Sequence, residues 1–435
     1  MKLKTSILCA ATFAVMPALA ADPAKINWPK VPVVKVPLFY PGQSTYEWLR
    51  SAEHKGASKE VIRGDACTTC HDEEDNEKDL GAKLVKANPL EPMPVRAKNG
   101  FVELQVQAAY DAENAYFRFQ WKTQAPEPGT EYPYYRFDGK EWKAWGAPRL
   151  DAPIQQGKQP AIYEDRLSMM IDDGKVPMFA QQGCWLTCHD GERDSRKVAT
   201  KDEVAANEAM KAYGKADVRK YLPASRNDPS DWKTGKSLDE LAKIKAEGGF
   251  ADLIQWRANR SNPINMADDG WVLHWRNFDA GKNPFASNMD DKTKQPKYMF
   301  DAAKFGSKEV TANQLRRQAN YLVKGGNAVP FDPNAGWKEG DMVPRYYLQP
   351  GDVTGSAADN KAVGVWKDGT WTVLLTRPLN LANDDDKAFK EGGVYSVGFA
   401  VHDDSITTRG HHVSWVRTVG FGAKAKTDIQ AVKLK

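Results

Sequence analysis

The chain has 435 residues, 41% hydrophobic and 27% charged, and its 61 lysines and arginines nearly balance 57 acidic residues, leaving a formal charge of +4. That balance excludes the basic footprint of a nucleic-acid-binding protein, and the length allows two domains or one large domain with insertions. After residue 20, no segment approaches the ~20 apolar residues needed to span a bilayer.

Met1 to Ala20 joins Lys2 and Lys4 to an apolar run from Ile7 to Val15 and a small-residue stretch, Pro17-Ala18-Leu19-Ala20, the pattern of a cleaved signal peptide. The mature protein is then expected to begin at Ala21, without Cys9, in a bacterial periplasm. Residues 21–42 carry Pro23, Pro29, Pro32, Pro37 and Pro41 and are predicted to run extended over the surface. A helix is predicted from Ser44 to about His54, with a shorter one after Cys67 to His71, ahead of the proline-rich stretch from Asn88 to Pro94. Residues 21–98 thus read as a small helical unit.

From Gly100 the apolar pattern changes to period two. Val102-Leu104-Val106 and Tyr116 to Trp121 flank a turn at Asp111 to Asn114, and Val363 to Trp366 pairs with Thr370 to Leu375 across Asp368-Gly369. Tyr395 to Val401 and His411 to Val416 complete the series. Residues 99–435 are therefore predicted to be a mainly β domain, an antiparallel β-sandwich with helical insertions at Lys201–Tyr221 and Leu238–Trp256.

The remaining four of the five cysteines form two motifs, Cys67-Thr68-Thr69-Cys70-His71 and Cys184-Trp185-Leu186-Thr187-Cys188-His189. The first is the C-x-x-C-H pattern of c-type attachment, in which two thiols bond the haem vinyl groups and the next imidazole ligates iron. The second has one more residue between its cysteines and still lets both thiols reach one porphyrin edge. Two disulfides, or one zinc ion held by all four thiols, are the alternatives, but zinc does not explain a histidine directly after each pair. The motifs predict two covalent haems c, with His71 and His189 as proximal ligands.

Each iron needs a sixth ligand, drawn from His54, His274, His402, His411, His412 or a methionine. If Val413 and Trp415 face inward on their strand, so does His411, while His412 and Ser414 face out. His411 is therefore the candidate for the second haem. For the first, His54 upstream of the motif is preferred to Met93, which lies between two prolines. Arg166, Arg257 and Arg409 are candidates to pair with haem propionates, and the run Asp72-Glu73-Glu74-Asp75 sets a negative field beside the first motif.

A longer set of motifs carries a resemblance. Glu164-Asp165-Arg166-Leu167, then Gly183 to His189, then Leu253 to Arg260 with Ala267-Asp268-Asp269, then Trp371-Thr372-Val373 with Thr376 to Leu379, and Phe399 to Asp403 with Arg409 to Trp415 occur in that order. They resemble the ethylbenzene dehydrogenase-type haem-binding domain over roughly residues 100–422. The resemblance implies a β-sandwich that, in the gamma subunits of periplasmic molybdenum enzymes, holds b-type haem between a methionine and a lysine. Here the region near Met178 runs into the second cysteine motif, so His189 is expected to replace that methionine, and the lysine's position matches His411.

The reading is a periplasmic dihaem cytochrome c that passes electrons between respiratory partners: a quinol-linked donor, a terminal reductase or a molybdoenzyme. Two other functions compete with it. One is an enzyme that reduces a small molecule at a five-coordinate haem; the other is a haem subunit held permanently in a molybdoenzyme complex.

Overall fold

Alternating apolar and polar residues give strands of nine or ten residues near both ends of the chain. The structure, a computed structural model, describes residues 22–71, 76–92, 94–95, 97–147, 152–311, 320–379, 381, 383–403 and 410–435. The expected signal peptide with Cys9, the run Asp72 to Asp75, Met93 and Arg409 lie outside the described residues.

The main sheet is 13-stranded. Its strands are β1 (Val34–Phe39), β2 (Phe101–Tyr110), β3 (Asn114–Lys122), β4 (Arg166–Asp172), β5 (Ala251–Arg257), β6 (Gly270–Val272) and β7 (Arg276–Phe278). They continue with β8 (Lys361–Lys367), β9 (Thr370–Pro378), β10 (Val394–His402), β11 (His411–Ser414), β12 (Arg417–Phe421) and β13 (Ile429–Lys433). The order is β8-β9-β3-β2-β1-β11-β10-β4-β5-β6-β7, all antiparallel. β12 pairs with β10, and β13 runs parallel to both β12 and β2. The hairpin between β8 and β9 turns at Asp368 (φ 50°) and Gly369 (φ 78°), the left-handed pair that a two-residue turn between twisted strands demands.

One apolar core lies between the two wings of this sheet. Leu104 and Phe119 from one wing, Met169 and Ile254 from the other, and Val36 and Phe399 from the strands between them belong to a single buried cluster. Trp256 on β5 meets Trp371 on β9 with ring centroids 4.9 Å apart and Trp121 on β3 at 5.9 Å. Each such aromatic side chain contributes roughly 1.5–3 kcal/mol by leaving water. The mainly β, antiparallel expectation holds; hydrogen bonding, however, joins the wings into one continuous sheet through β1 and β11.

Three local expectations fail. Residues 21–42 do not simply cross the surface, because β1 lies inside the sheet with Val36 and Leu38 fully buried. Pro37 is tolerated there because β11 pairs only with Leu38 and Phe39. The predicted helix Lys201–Tyr221 is two short ones, Lys201–Ala206 and Glu208–Ala212: Asn207 is extended at ψ 123° and its side chain caps the second. The predicted helix Leu238–Trp256 stops at Ala246, and Gly248 at φ 83° turns the chain into β5, where every residue is buried. Among the described residues no helix is long and apolar enough to cross a membrane.

Candidate functional site

Three short helices carry the first cysteine motif: α1 (Tyr46–Leu49), α2 (Ser58–Arg63) and α3 (Asn76–Leu84). The predicted helix to His54 ends at Leu49, and His54 follows in a turn. Thr45 caps α1 by accepting a hydrogen bond from the Trp48 amide, and Gly64 ends α2 at φ 92°. The motif itself folds as a 3-10 turn, Cys67–Thr69, in which the amides of Cys70 and His71 both donate to the Cys67 carbonyl. Both thiols and the imidazole therefore leave one turn of chain, and Cys67, Cys70, His71 and His54 line one crevice, closed at its base by Trp185 and Trp415.

The rings of His54 and His71 are nearly parallel, 9° apart, with centroids separated by 6.4 Å. Two imidazoles bound to one metal ion at about 2.0 Å per nitrogen place their centroids roughly 6.3 Å apart. The Nδ1 of His54 is 3.0 Å from the Leu49 carbonyl, and the Nδ1 of His71 is 3.3 Å from the Asn76 side-chain oxygen. Such outer partners hold a ligating imidazole in the tautomer whose Nε2 is free to bind metal. Burial lowers the His71 pKa, which favours the neutral ring.

The second motif folds as a 3-10 turn, Gly183–Thr187, packed on β10. Cys184, Cys188, Lys220 and His411 line one pocket, and the Lys220 ammonium lies 3.1 Å from the Cys188 sulfur. Cys188, Lys220 and His411 also line an adjoining cavity of about 310 Å³, whose far wall holds Arg166, Arg257, Arg260 and Arg276. Arg257 and Arg276 share Asp268, and Arg260 pairs with Glu164, with an Nε to Oε1 distance of 2.6 Å. Four guanidiniums thus face two carboxylates, a surplus of two positive charges. Arg166 pairs with the Tyr163 hydroxyl, yet its buried Nε has no hydrogen-bond partner. Burial depresses the pKa of Arg276 to about 10.

His189 lies elsewhere. It is fully buried behind the motif, stacked on Tyr221 at 3.7 Å, and lines neither cavity. Its Nδ1 is 2.8 Å from Glu47 and its Nε2 is 2.9 Å from the Leu186 carbonyl. The strand expectation for His411 needs amendment too, because both faces of β11 are covered. His412 and Ser414 are buried with His411, and the His412 Nε2 is 2.7 Å from the Asn99 carbonyl. Burial depresses the His412 pKa to about 3.

Among the described residues no three cysteine sulfurs come within 4.8 Å of one another, so the four thiols do not converge on one zinc site. Burial pushes the Cys67 thiol up to about 11 and that of Cys184 to about 12.

The family profile described as ethylbenzene dehydrogenase matches residues 25–414. The chain belongs to the ethylbenzene dehydrogenase family. In this member the match begins before β1 and takes in both cysteine motifs, extending well beyond the residues that first suggested it. The chain is 28% identical over 420 residues to cytochrome c-552 of Stutzerimonas stutzeri, covering 96% of this chain and 93% of that protein. It is also 28% identical over 225 residues to cytochrome c-551 of Rhodocyclus tenuis, covering 51% of this chain and 73% of that protein.

Several residues around the two sites escaped the sequence reading. Glu47 and Asn76, which hold the two motif histidines, are isolated polar residues on helices with no motif to mark them. Trp185, inside the second motif, lines both the first crevice and the pocket beside His411, and its ring centroid is 4.7 Å from that of Trp415. Arg260 and Arg276 lie close in sequence to Arg257, but only the pairing of β4 with β5 and of β6 with β7 brings them to one wall.

Gly398 on β10 makes room for the second motif: a Cβ there would stand 2.5 Å from the Cys184 sulfur. Gly398→Ala is expected to displace Cys184 and sharply lower covalent loading at the second motif, leaving the first unaffected. Intact-mass spectrometry of the exported variant reads this as a new population lighter by one haem.

Proposed function

We propose that this member of the family is a periplasmic c-type cytochrome that carries two covalent haems and passes electrons singly between respiratory redox partners. When bound, each haem supplies an iron that cycles between ferric and ferrous states. The observation that carries the proposal is the His54–His71 pair, near-parallel at 6.4 Å with both Nδ1 atoms engaged. Two protein ligands leave no open position for a substrate, which favours electron transfer over small-molecule chemistry at that site.

In this reading Cys67 and Cys70 anchor the first haem, with His71 and His54 as its ligands. Cys184 and Cys188 would anchor the second, with His189 and His411 as its candidate ligands. Glu47 would orient His189 through its Nδ1, and iron ligation would use the Nε2 that here faces the Leu186 carbonyl. The surplus charge of the arginine wall suits two propionates, with Arg166 the guanidinium lacking a carboxylate. Trp185 and Trp415 line the first crevice, and Trp185 lines the pocket beside His411 as well. The names of the two cytochrome relatives support the same function.

The intact mass of the exported protein, taken with a pyridine haemochrome count, tests the proposal. Two haems on a chain beginning at Ala21 are expected, along with two one-electron steps in a redox titration. One haem only, with Cys184 and Cys188 free or disulfide-linked, would reject the dihaem carrier.

A further inference from the structure

Around the β5–β7 wing the chain gathers carboxylates that neither haem site uses. Asp252 on β5, Asp269 before β6, Asp279 after β7, Asp359 before β8, and Asp385 and Asp386 before β10 come together in the fold. Oxygens of Asp252, Asp269 and Asp386 lie within 4.8 Å of one another, as do those of Asp279, Asp385 and Asp386. The cations nearby are too few to balance them. Arg377 pairs with Asp252 at 2.5 Å and Asp386 at 3.3 Å, while the Lys387 ammonium turns away to Asp173 and the Gly248 carbonyl.

Carboxylates in protein interiors normally have hydrogen-bond partners, and an unpaired one is costly. Here several oxygens have none. Asp279 is 5% exposed and neither of its oxygens is hydrogen-bonded; Asp252 is fully buried with Oδ1 unbonded. A neutral side chain gives an independent sign. Asn360, 1% exposed, donates its side-chain amide to Asp269 and Asp359, and its side-chain oxygen has no hydrogen-bond partner. Donors do reach the cluster, from the Ala280 amide and Ser356 hydroxyl to Asp385, from Asn383 to Asp386 and from the Gly270 amide to Asp269, yet both oxygens of Asp279 are left without one.

We propose that this cluster is a binding site for a divalent cation of the calcium class, with Asp279, Asp385 and Asp386 as primary ligands and Asp252, Asp269 and the Asn360 carbonyl beside them. The chemistry selects the ion. All donors are hard oxygens, with no histidine or cysteine in either group, which disfavours zinc and copper. Oxygens up to 4.8 Å apart are what calcium, at 2.3–2.6 Å per ligand, spans across its shell, whereas magnesium is smaller and retains waters. Burial and the neighbouring carboxylates push Asp279 up to about 9, Asp359 to about 7 and Asp386 to about 6; a cation would reverse that pressure. The site clips β5, β6 and β7 to the loops before β8 and β10. Asp268, next to Asp269, is the carboxylate that holds Arg257 and Arg276 in the wall of the second cavity.

The test uses the full exported protein, stripped with a calcium chelator and then titrated with calcium or magnesium. Calcium is expected to co-purify at one ion or more per chain and to raise the unfolding temperature of the stripped protein by about 5 °C or more, with magnesium much weaker. Asp279→Asn keeps the shape and removes a carboxylate ligand. It should abolish the calcium response while leaving the stability in chelator close to that of the parent. Asp385→Asn provides a second variant with the same expectation. An unfolding temperature identical in calcium and chelator, with no calcium in the purified protein, would overturn the proposal. So would a full calcium response in both variants. Neither result depends on haem content.

Discussion

Replacing Cys67 and Cys70 together by serine should remove one haem and leave the other. The expected product is an exported, folded chain lighter by one haem, with half the pyridine haemochrome absorbance of the parent and a single one-electron step. The reasoning is spatial. The first motif stands on short helices and a 3-10 turn, while the second is packed on β10 in the body of the sheet. The core cluster between the wings includes none of the four cysteines, so losing the first thioethers does not unpack it. The cost is local. His54 and His71 lose a shared ligand, and the wall formed by Trp185 and Trp415 opens on one side, a loss of a few kcal/mol at most by area. The reciprocal variant, with Cys184 and Cys188 as serines, should keep the first haem but unfold more readily, because Cys184 packs against both the tryptophan cluster and the neighbouring buried cluster. If the first variant still carried two haems, or the second still two, the assignment of motifs to haems would fail.

How much of this was legible from the sequence follows the reach of the interactions involved. The two cysteine motifs are contiguous, so local chemistry identifies them. The long strands are also local: from Thr370 to Pro378, buried and half-buried residues alternate without a break, and period two is plain in the sequence. β1 was hidden because prolines around it outweighed the alternation of Val34, Val36 and Leu38. β5 was hidden because both its faces are buried, so Leu253-Ile254-Gln255-Trp256-Arg257 shows no alternation and follows directly on a helical pattern. His54 and His71 come together over 17 residues through turns, within reach of inference. The arginine wall and the acidic cluster are different: each assembles residues from strands that pair only in the finished sheet. Nothing in the spacing of Arg166, Arg260 and Arg276 announces that their charges will share one cavity.

His54→Ala should convert the first site from a closed pair of imidazoles to one with an open position. The parent is expected to show no carbon monoxide binding at that site when reduced, and the variant should bind it; added imidazole should restore the parent's low-spin spectrum. The substitution removes few other interactions. The His54 ring meets the Leu49 carbonyl through Nδ1 and lies beside Trp48 at 4.8 Å, so about 1–2 kcal/mol of local stability is at stake. The backbone bond from the Ala57 amide to the His54 carbonyl remains. His54→Met separates ligation from packing, since a thioether in place of the imidazole should raise that site's potential by on the order of 100 mV or more, leaving the second unchanged. A site whose carbon monoxide binding and potential ignored both substitutions would not use His54, and the case against small-molecule chemistry there would lose its footing. If the predicted shift is seen, the turn after α1 is a control on driving force: one side chain, held by one carbonyl, decides whether the first site accepts electrons from weak or strong donors.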